Sequence, residues 1–222
     1  DLFNNDLPSV LNASTNISIF ADDTKIYKAI RGVRDCILLQ HDIDSISQWG
    51  QTWGLKFNAL KCNIITVSAR PANLVYNYTM NGSPLLRANE TVDLGITVNT
   101  DLSWDVHIRG LVSKANKSFW AAVRAIGYNA PVEAKKLVYR SLIRSILEYA
   151  TPVWNPLKKE SMVLLERIQL KATNLITNNC FRLLPGYKDY KQRLLEVNMM
   201  PLVFRREIAD ITLLIKSLNT DN

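Results

Sequence analysis

Asp22 and Asp23 are adjacent carboxylates lying between two short strand-forming runs, Ile17-Ser18-Ile19-Phe20 and Thr24-Lys25-Ile26-Tyr27. A strand, a two-acid turn and a strand would hold both side chains at a hairpin tip. Buried like charges are costly unless something neutralises them. Divalent cations bound through carboxylate oxygens do so, and two-metal phosphoryl-transfer sites use such clusters to clamp the attacking and leaving oxygens. The alternative, from the dipeptide alone, is a solvated turn, because Asp is a common turn residue.

The elements that must position these acids follow from periodicity. Ile17 and Ile19 alternate with Ser18, so the first strand buries one face, and a hairpin is expected over residues 16–30, with the acids exposed at its tip. Leu39, Ile43, Ile46, Trp49 and Trp53 recur at three- and four-residue intervals. That spacing predicts an amphipathic helix over 34–53, ended by Gly54, with both tryptophans in the core. Cys62-Asn63-Ile64-Ile65-Thr66-Val67 reads as a β-branched strand, with Lys61 at its start on the cleft side. Asn81-Gly82, between Val75-Tyr76-Asn77-Tyr78 and Pro84-Leu85-Leu86, predicts a second hairpin, and Leu94-Gly95-Ile96-Thr97-Val98 reads as a further strand. Asn5-Asp6-Leu7-Pro8 reads as the end of a helix. Near residue 105 the period becomes helical. Helices are expected from Ile108 to Ile126, from Pro131 to Ile146, from Leu164 to Ile176 and from Leu202 to Leu218. The fold class is α+β, strand-rich first and all-α afterwards. Trp104, Trp120 and Trp154 could stack on bases, but each sits in an apolar context and reads as core. His107 reads as structural, and Lys135 and Lys136 as a solvated face.

The 222 residues, 47% of them hydrophobic, suffice for a real core and argue against disorder. No apolar run approaches the ~18–20 residues of a membrane span, and no secretion signal is visible. Cys36, Cys62 and Cys180 form no CxxC pair and no zinc set with His41 and His107. A reduced intracellular compartment is expected, nucleus or cytoplasm or both, and sites such as Asn77-Tyr78-Thr79 read as chance. Charge is unevenly spread. Residues 1–106 carry 8 Lys+Arg against 11 Asp+Glu, a net of −3; residues 107–222 carry 19 against 9, a net of +10. An acidic half bearing the Asp pair followed by a basic half suits a metal-dependent site joined to a module that grips phosphates. Lys114, Lys117, Arg124, Arg140 and Arg144 are the candidate nucleic-acid contacts.

In its context, Phe20-Ala21-Asp22-Asp23-Thr24-Lys25-Ile26-Tyr27 resembles the signature hairpin of reverse transcriptases of non-long-terminal-repeat retrotransposons. The likeness continues in order through Leu39-Gln40-His41-Asp42-Ile43 and Trp53-Gly54-Leu55-Lys56-Phe57-Asn58-Ala59-Leu60-Lys61-Cys62. It resumes at Asp93-Leu94-Gly95-Ile96, Leu102-Ser103-Trp104 and Leu147-Glu148-Tyr149-Ala150. The last pieces, Leu165-Glu166-Arg167-Ile168-Gln169, Arg193-Leu194 and Arg205-Arg206, resemble the stretch after the thumb in jockey-like elements.

The resemblance implies a partial polymerase palm at 1–105, an antiparallel sheet with a backing helix. Thumb helices would follow at 106–156 and a post-thumb helical segment at 157–222. It implies Asp22 and Asp23 as ligands of catalytic Mg2+ and Lys61 as a proton donor to departing pyrophosphate. Leu94 and Gly95 would form the primer-grip turn. Implied partners are an RNA template, a DNA primer and deoxynucleotides, with no membrane. In that family a third catalytic Asp and the fingers lie upstream of the hairpin. The chain, which does not start with Met, is therefore expected to be a C-terminal fragment, inactive alone. The alternative is a non-catalytic nucleic-acid-binding remnant or domesticated protein.

Overall fold

The computed structural model describes residues 6–68, 74–178 and 188–220. They fall into two compact units, Asp1–Leu102 and Ser103–Asn222, so the change of period near residue 105 marks the division. Val33–Thr52 forms helix α1, the centre of the first unit. Its end is a Schellman turn: Gly54 has φ +70°, its N–H donates to Gln51 O, and Leu55 N–H donates to Gly50 O at 2.7 Å. Gly50 itself faces the Phe57 ring, which an added Cβ would meet at 2.6 Å.

Strands β1 (Asn16–Phe20) and β2 (Asp23–Tyr27) form an antiparallel hairpin in which Phe20 faces Asp23 and Ile17 faces Ile26. Opposed residues share a face. Ile17, Ile19 and Ile26 therefore turn together onto Leu7, Ile46 and Trp49, which backs the hairpin with α1. Leu7–Val10 is a 3-10 turn. Asp42, 1% exposed, holds the segment between this turn and β1 by accepting from Asn12 N–H at 2.8 Å and Thr15 Oγ1 at 2.5 Å. A second cluster around Cys36, Ile43, Tyr78 and Met80 also packs on α1.

The remaining strands correct the expectation of a single antiparallel sheet. β3 (Asn63–Ile65) pairs in parallel with β6 (Leu86–Ala88), β4 (Thr79–Met80) pairs with β5 (Ser83–Pro84), and β7 (Glu90–Asp93) pairs with β8 (Ile96–Asn99). Each is a separate two-stranded ladder. The expected strand from Cys62 to Val67 is cut to three residues, and Ser68 N–H then turns to Thr100 O at 3.0 Å. Asn81 and Gly82, both with positive φ, make the expected two-residue turn. Its ladder is short because Pro84 has no N–H to give. Gln40 docks this hairpin on α1, donating to Thr79 O and accepting from Thr79 N–H, both at 2.9 Å. Leu94 and Gly95 are not strand but turn, with φ +47° and +81°. β-propensity misses this because a Leu in the left-handed region costs about 1–2 kcal/mol, a cost that tertiary context must offset.

The second unit is helical: α2 (Asp105–Ile126), α3 (Val132–Val138), a π segment (Tyr139–Arg144), α4 (Ser145–Glu148), α5 (Thr151–Trp154), α6 (Lys159–Ile176), α7 (Tyr190–Glu196) and α8 (Leu202–Thr220). The helix expected over 131–146 is thus interrupted. Tyr139, Ile143 and Leu147 are all buried at four-residue spacing, which drifts on a 3.6-residue helix; the wider π turn keeps them on one line. Ser141 and Ser145 hydroxyls donate to the carbonyls of Leu137 and Ser141, competing with the regular ladder. Helix α6, beyond the expected boundary at 156/157, lies in the same compact unit as α2. Lys158 pairs with Asp105, Tyr139 Oη donates to Gln169 Oε1 at 2.7 Å, and Leu165, Ile168 and Ile176 are buried with Phe119 and Val123.

Candidate functional site

The β1–β2 turn consists of Ala21, with φ +53°, and Asp22. Asp23 opens β2 on the face away from α1, with Ser18, Phe20 and Lys25. Both carboxylates are exposed, so no burial cost demands a counter-ion. Among the described residues neither makes an ion pair, and no group of three or more His, Cys, Asp or Glu gathers as a metal set. The pair suits a hard divalent ion in kind, since magnesium is held through one or two carboxylates with water and substrate phosphate completing the shell.

Lys25 forms an ion pair with Asp93. Asp93 ends β7 and immediately precedes the Leu94–Gly95 turn, so the structure ties that turn to the open face of the Asp22–Asp23 hairpin. The sequence reading missed this pair; the available signal was that Lys25 shares the strand face of Asp23. Lys61 lies in a turn two residues before β3, its N–H donating to Asn58 O at 2.9 Å, and β3 pairs with β6. Lys61 is exposed and makes no ion pair with Asp22 or Asp23.

The basic candidates divide. Lys114, Lys117 and Arg124 are exposed on α2 and Arg140 is exposed on the π segment. Arg144 is half-buried beside Glu148, 3.6 Å away, and burial holds its guanidinium below the ordinary range. Glu148 also accepts from Nε and Nη2 along one edge of the Arg205 guanidinium, so Arg144 belongs to an internal cluster, not a phosphate track. Lys135 is not solvated but 2% exposed, its Nζ donating to Leu175 O and Asn178 Oδ1. It closes the C-terminus of α6, where a cation meets orphan carbonyls.

The tryptophans also divide. Trp49 and Trp154 are buried, as is His107, which sits edge-on to Trp154 at 5.3 Å. Trp53 and Trp120 are 54% and 45% exposed, which corrects their reading as core.

The polar residues that close the resemblance form a buried network, which only tertiary contact reveals. Gln169, 0% exposed, accepts from Tyr139 and donates to Tyr190 Oη and Met200 O. Glu166 accepts from Leu202 N–H at 3.1 Å, holding the start of α8. Arg206 Nε donates to Asn155 Oδ1 at 3.1 Å.

Comparison with known proteins places the chain beside polymerases of mobile elements. Over 166 residues, 72% of the chain, it is 24% identical to an RNA-directed DNA polymerase from mobile element jockey of Drosophila melanogaster. It is 24% identical over the same length to the corresponding protein of Drosophila funebris. The chain spans 18% of the length of these relatives. No family model and no solved structure matches it. The similarity supports a relation to jockey-like retrotransposon reverse transcriptases.

Proposed function

We propose that the chain is part of an RNA-directed DNA polymerase of a jockey-like element. The first unit is a portion of the palm, and the second begins with the thumb. The observation that carries this reading is the exposed Asp22–Asp23 turn on a ladder backed by α1, in a chain similar to those polymerases. In the whole enzyme a primer 3′-hydroxyl attacks a deoxynucleotide α-phosphate opposite an RNA template, and pyrophosphate leaves. Asp22 and Asp23 would hold Mg2+, which supplies charge stabilisation at the reacting phosphate. Lys61 offers a proton to the leaving group. The Leu94–Gly95 turn, free of a bulky side chain at Gly95, brings backbone close to the primer. Lys114, Lys117, Arg124 and Arg140 hold phosphates.

On this reading Asp22 and Asp23 are two of the carboxylates that a two-metal site takes, and the 222-residue chain alone is expected not to extend a primer on RNA with Mg2+. Expressed together with an intact upstream frame of its gene, it should extend one. Asp22→Ala should then cut the rate by about 10³-fold, taking several kcal/mol of lost stabilisation at 1.36 kcal/mol per tenfold. Extension by the chain alone that is lost on Asp22→Ala would overturn the incompleteness. A longer protein indifferent to Asp22→Ala would overturn the ligand assignment. An upstream frame broken by stop codons would favour the non-catalytic nucleic-acid-binding reading.

A further inference from the structure

We infer that Trp120, framed by Lys117, Arg124 and Lys171, is a platform on which an unpaired base of a single-stranded nucleic acid stacks. The inference rests on the nucleic-acid reading above and assigns that reading a residue and a strand state. On α2, Ile108, Ala115, Phe119, Ala122 and Val123 are buried, while Gly110, Ser113, Lys114, Lys117, Ala121 and Arg124 are exposed. At 100° per residue the exposed set forms one stripe, and Trp120 lies along its edge, 45% exposed.

The ring meets buried Phe119 edge-on, centroids 5.1 Å apart and planes at 75°. The surroundings are cationic. Lys117 precedes Trp120 by three residues and Arg124 follows by four, both on its own side of the helix. From α6, Lys171 Nζ reaches Asn116 Oδ1 at 3.0 Å, one turn before Trp120. The only carboxylate in α2 is Asp105, and Lys158 already engages it. An exposed aromatic beside cations, on a helix with no acid beyond Asp105, matches the two needs of a single strand: a π-face for a base and positive charge for the flanking phosphates. A duplex offers phosphates but keeps its bases stacked on one another.

The test uses the whole chain and fluorescein-labelled 12-nucleotide single strands and 12-base-pair duplexes, read by anisotropy at several salt concentrations. Trp120→Ala should weaken single-strand binding by about tenfold, leave duplex binding within about twofold and leave the salt dependence unchanged. Trp120→Phe should keep most of the affinity. Lys117→Gln with Arg124→Gln should flatten the salt dependence. Circular dichroism identifies any variant that has merely lost its fold, and Trp120→Phe, which keeps a ring on Phe119, decides in that event. Equal losses on single strand and duplex, unchanged single-strand binding in Trp120→Ala, or Trp120→Phe as weak as Trp120→Ala would each overturn the platform while leaving nucleic-acid binding intact. A wild-type chain that binds neither probe at low salt would overturn both.

Discussion

The two units use charge in opposite ways. The first carries 8 Lys+Arg against 10 Asp+Glu and keeps its two most informative acids in water at a turn. The second carries 19 against 10, yet draws much of that charge inward. Lys135, Arg193 and Arg206 are at most 2% exposed, and Arg144 and Arg205 close on Glu148. A net charge therefore overstates the surface available to phosphates. What remains outside is a narrower set, of which the stripe of α2 carries Arg109, Lys114, Lys117 and Arg124. The proposed metal-binding acids sit on a thin ladder over a small core, whereas much of the polar machinery of the helical unit is spent on holding helices together.

The largest test of this contrast separates stability from chemistry. Gln169→Ala removes the partner of Tyr139, Tyr190 and the Met200 carbonyl inside the helical core. Leaving such groups unpaired should cost about 3 kcal/mol in urea unfolding. Asp22→Ala, at an exposed turn, should change stability by no more than about 0.5 kcal/mol, although it removes a proposed metal ligand. If Asp22→Ala destabilised the chain as much as Gln169→Ala, the aspartate turn would be structural and the contrast would collapse.

That contrast also explains what was legible in the amino-acid sequence. The Asp22–Asp23 hairpin, α1 with its Gly54 stop and the onset of helices near residue 105 are local features, each written in a period or a turn residue. The parallel β3–β6 pair, the inward turn of Lys135 and the Arg144–Glu148–Arg205 cluster depend on residues brought together across the fold, so periodicity is silent about them. Leu94 reads as strand because nothing in its type announces φ +47°. Trp120 reads as core because an apolar context looks the same whichever side of the helix faces water.

A smaller effect sharpens the division of the basic residues. Nucleic-acid affinity of the whole chain should fall as salt rises. For duplex, neutralising one phosphate-contacting lysine, as in Lys114→Gln or Lys117→Gln, should reduce the slope of log affinity against log salt by about 0.9. Arg144→Gln should leave the slope as it is and lower stability instead, since Glu148 loses a neighbour in a half-buried cluster. A slope that drops equally for Arg144→Gln and Lys117→Gln would return Arg144 to the phosphate track.

The smallest expected effect concerns pH and belongs to the helical unit alone. His107 is 4% exposed, and burial holds its imidazole below the ordinary value, which is about 6.5. A folded chain thus keeps this ring neutral where an unfolded chain takes up a proton. The unfolded state then binds more protons, so stability falls as pH drops below about 6.5 and is fully present above it. Asp105 does not confuse this window. Its carboxylate is held low chiefly by the Lys158 hydrogen bond, so its contribution is lost only below the ordinary range near about 3.9. Urea midpoints followed by helical circular dichroism, a signal dominated by α2 to α8, should decline from pH 7.5 to pH 5 in the wild type. His107→Gln should lower stability at pH 7.5, through lost packing on Trp154, and flatten that decline. An unchanged slope in His107→Gln would place the acid sensitivity in other groups and remove His107 from the account.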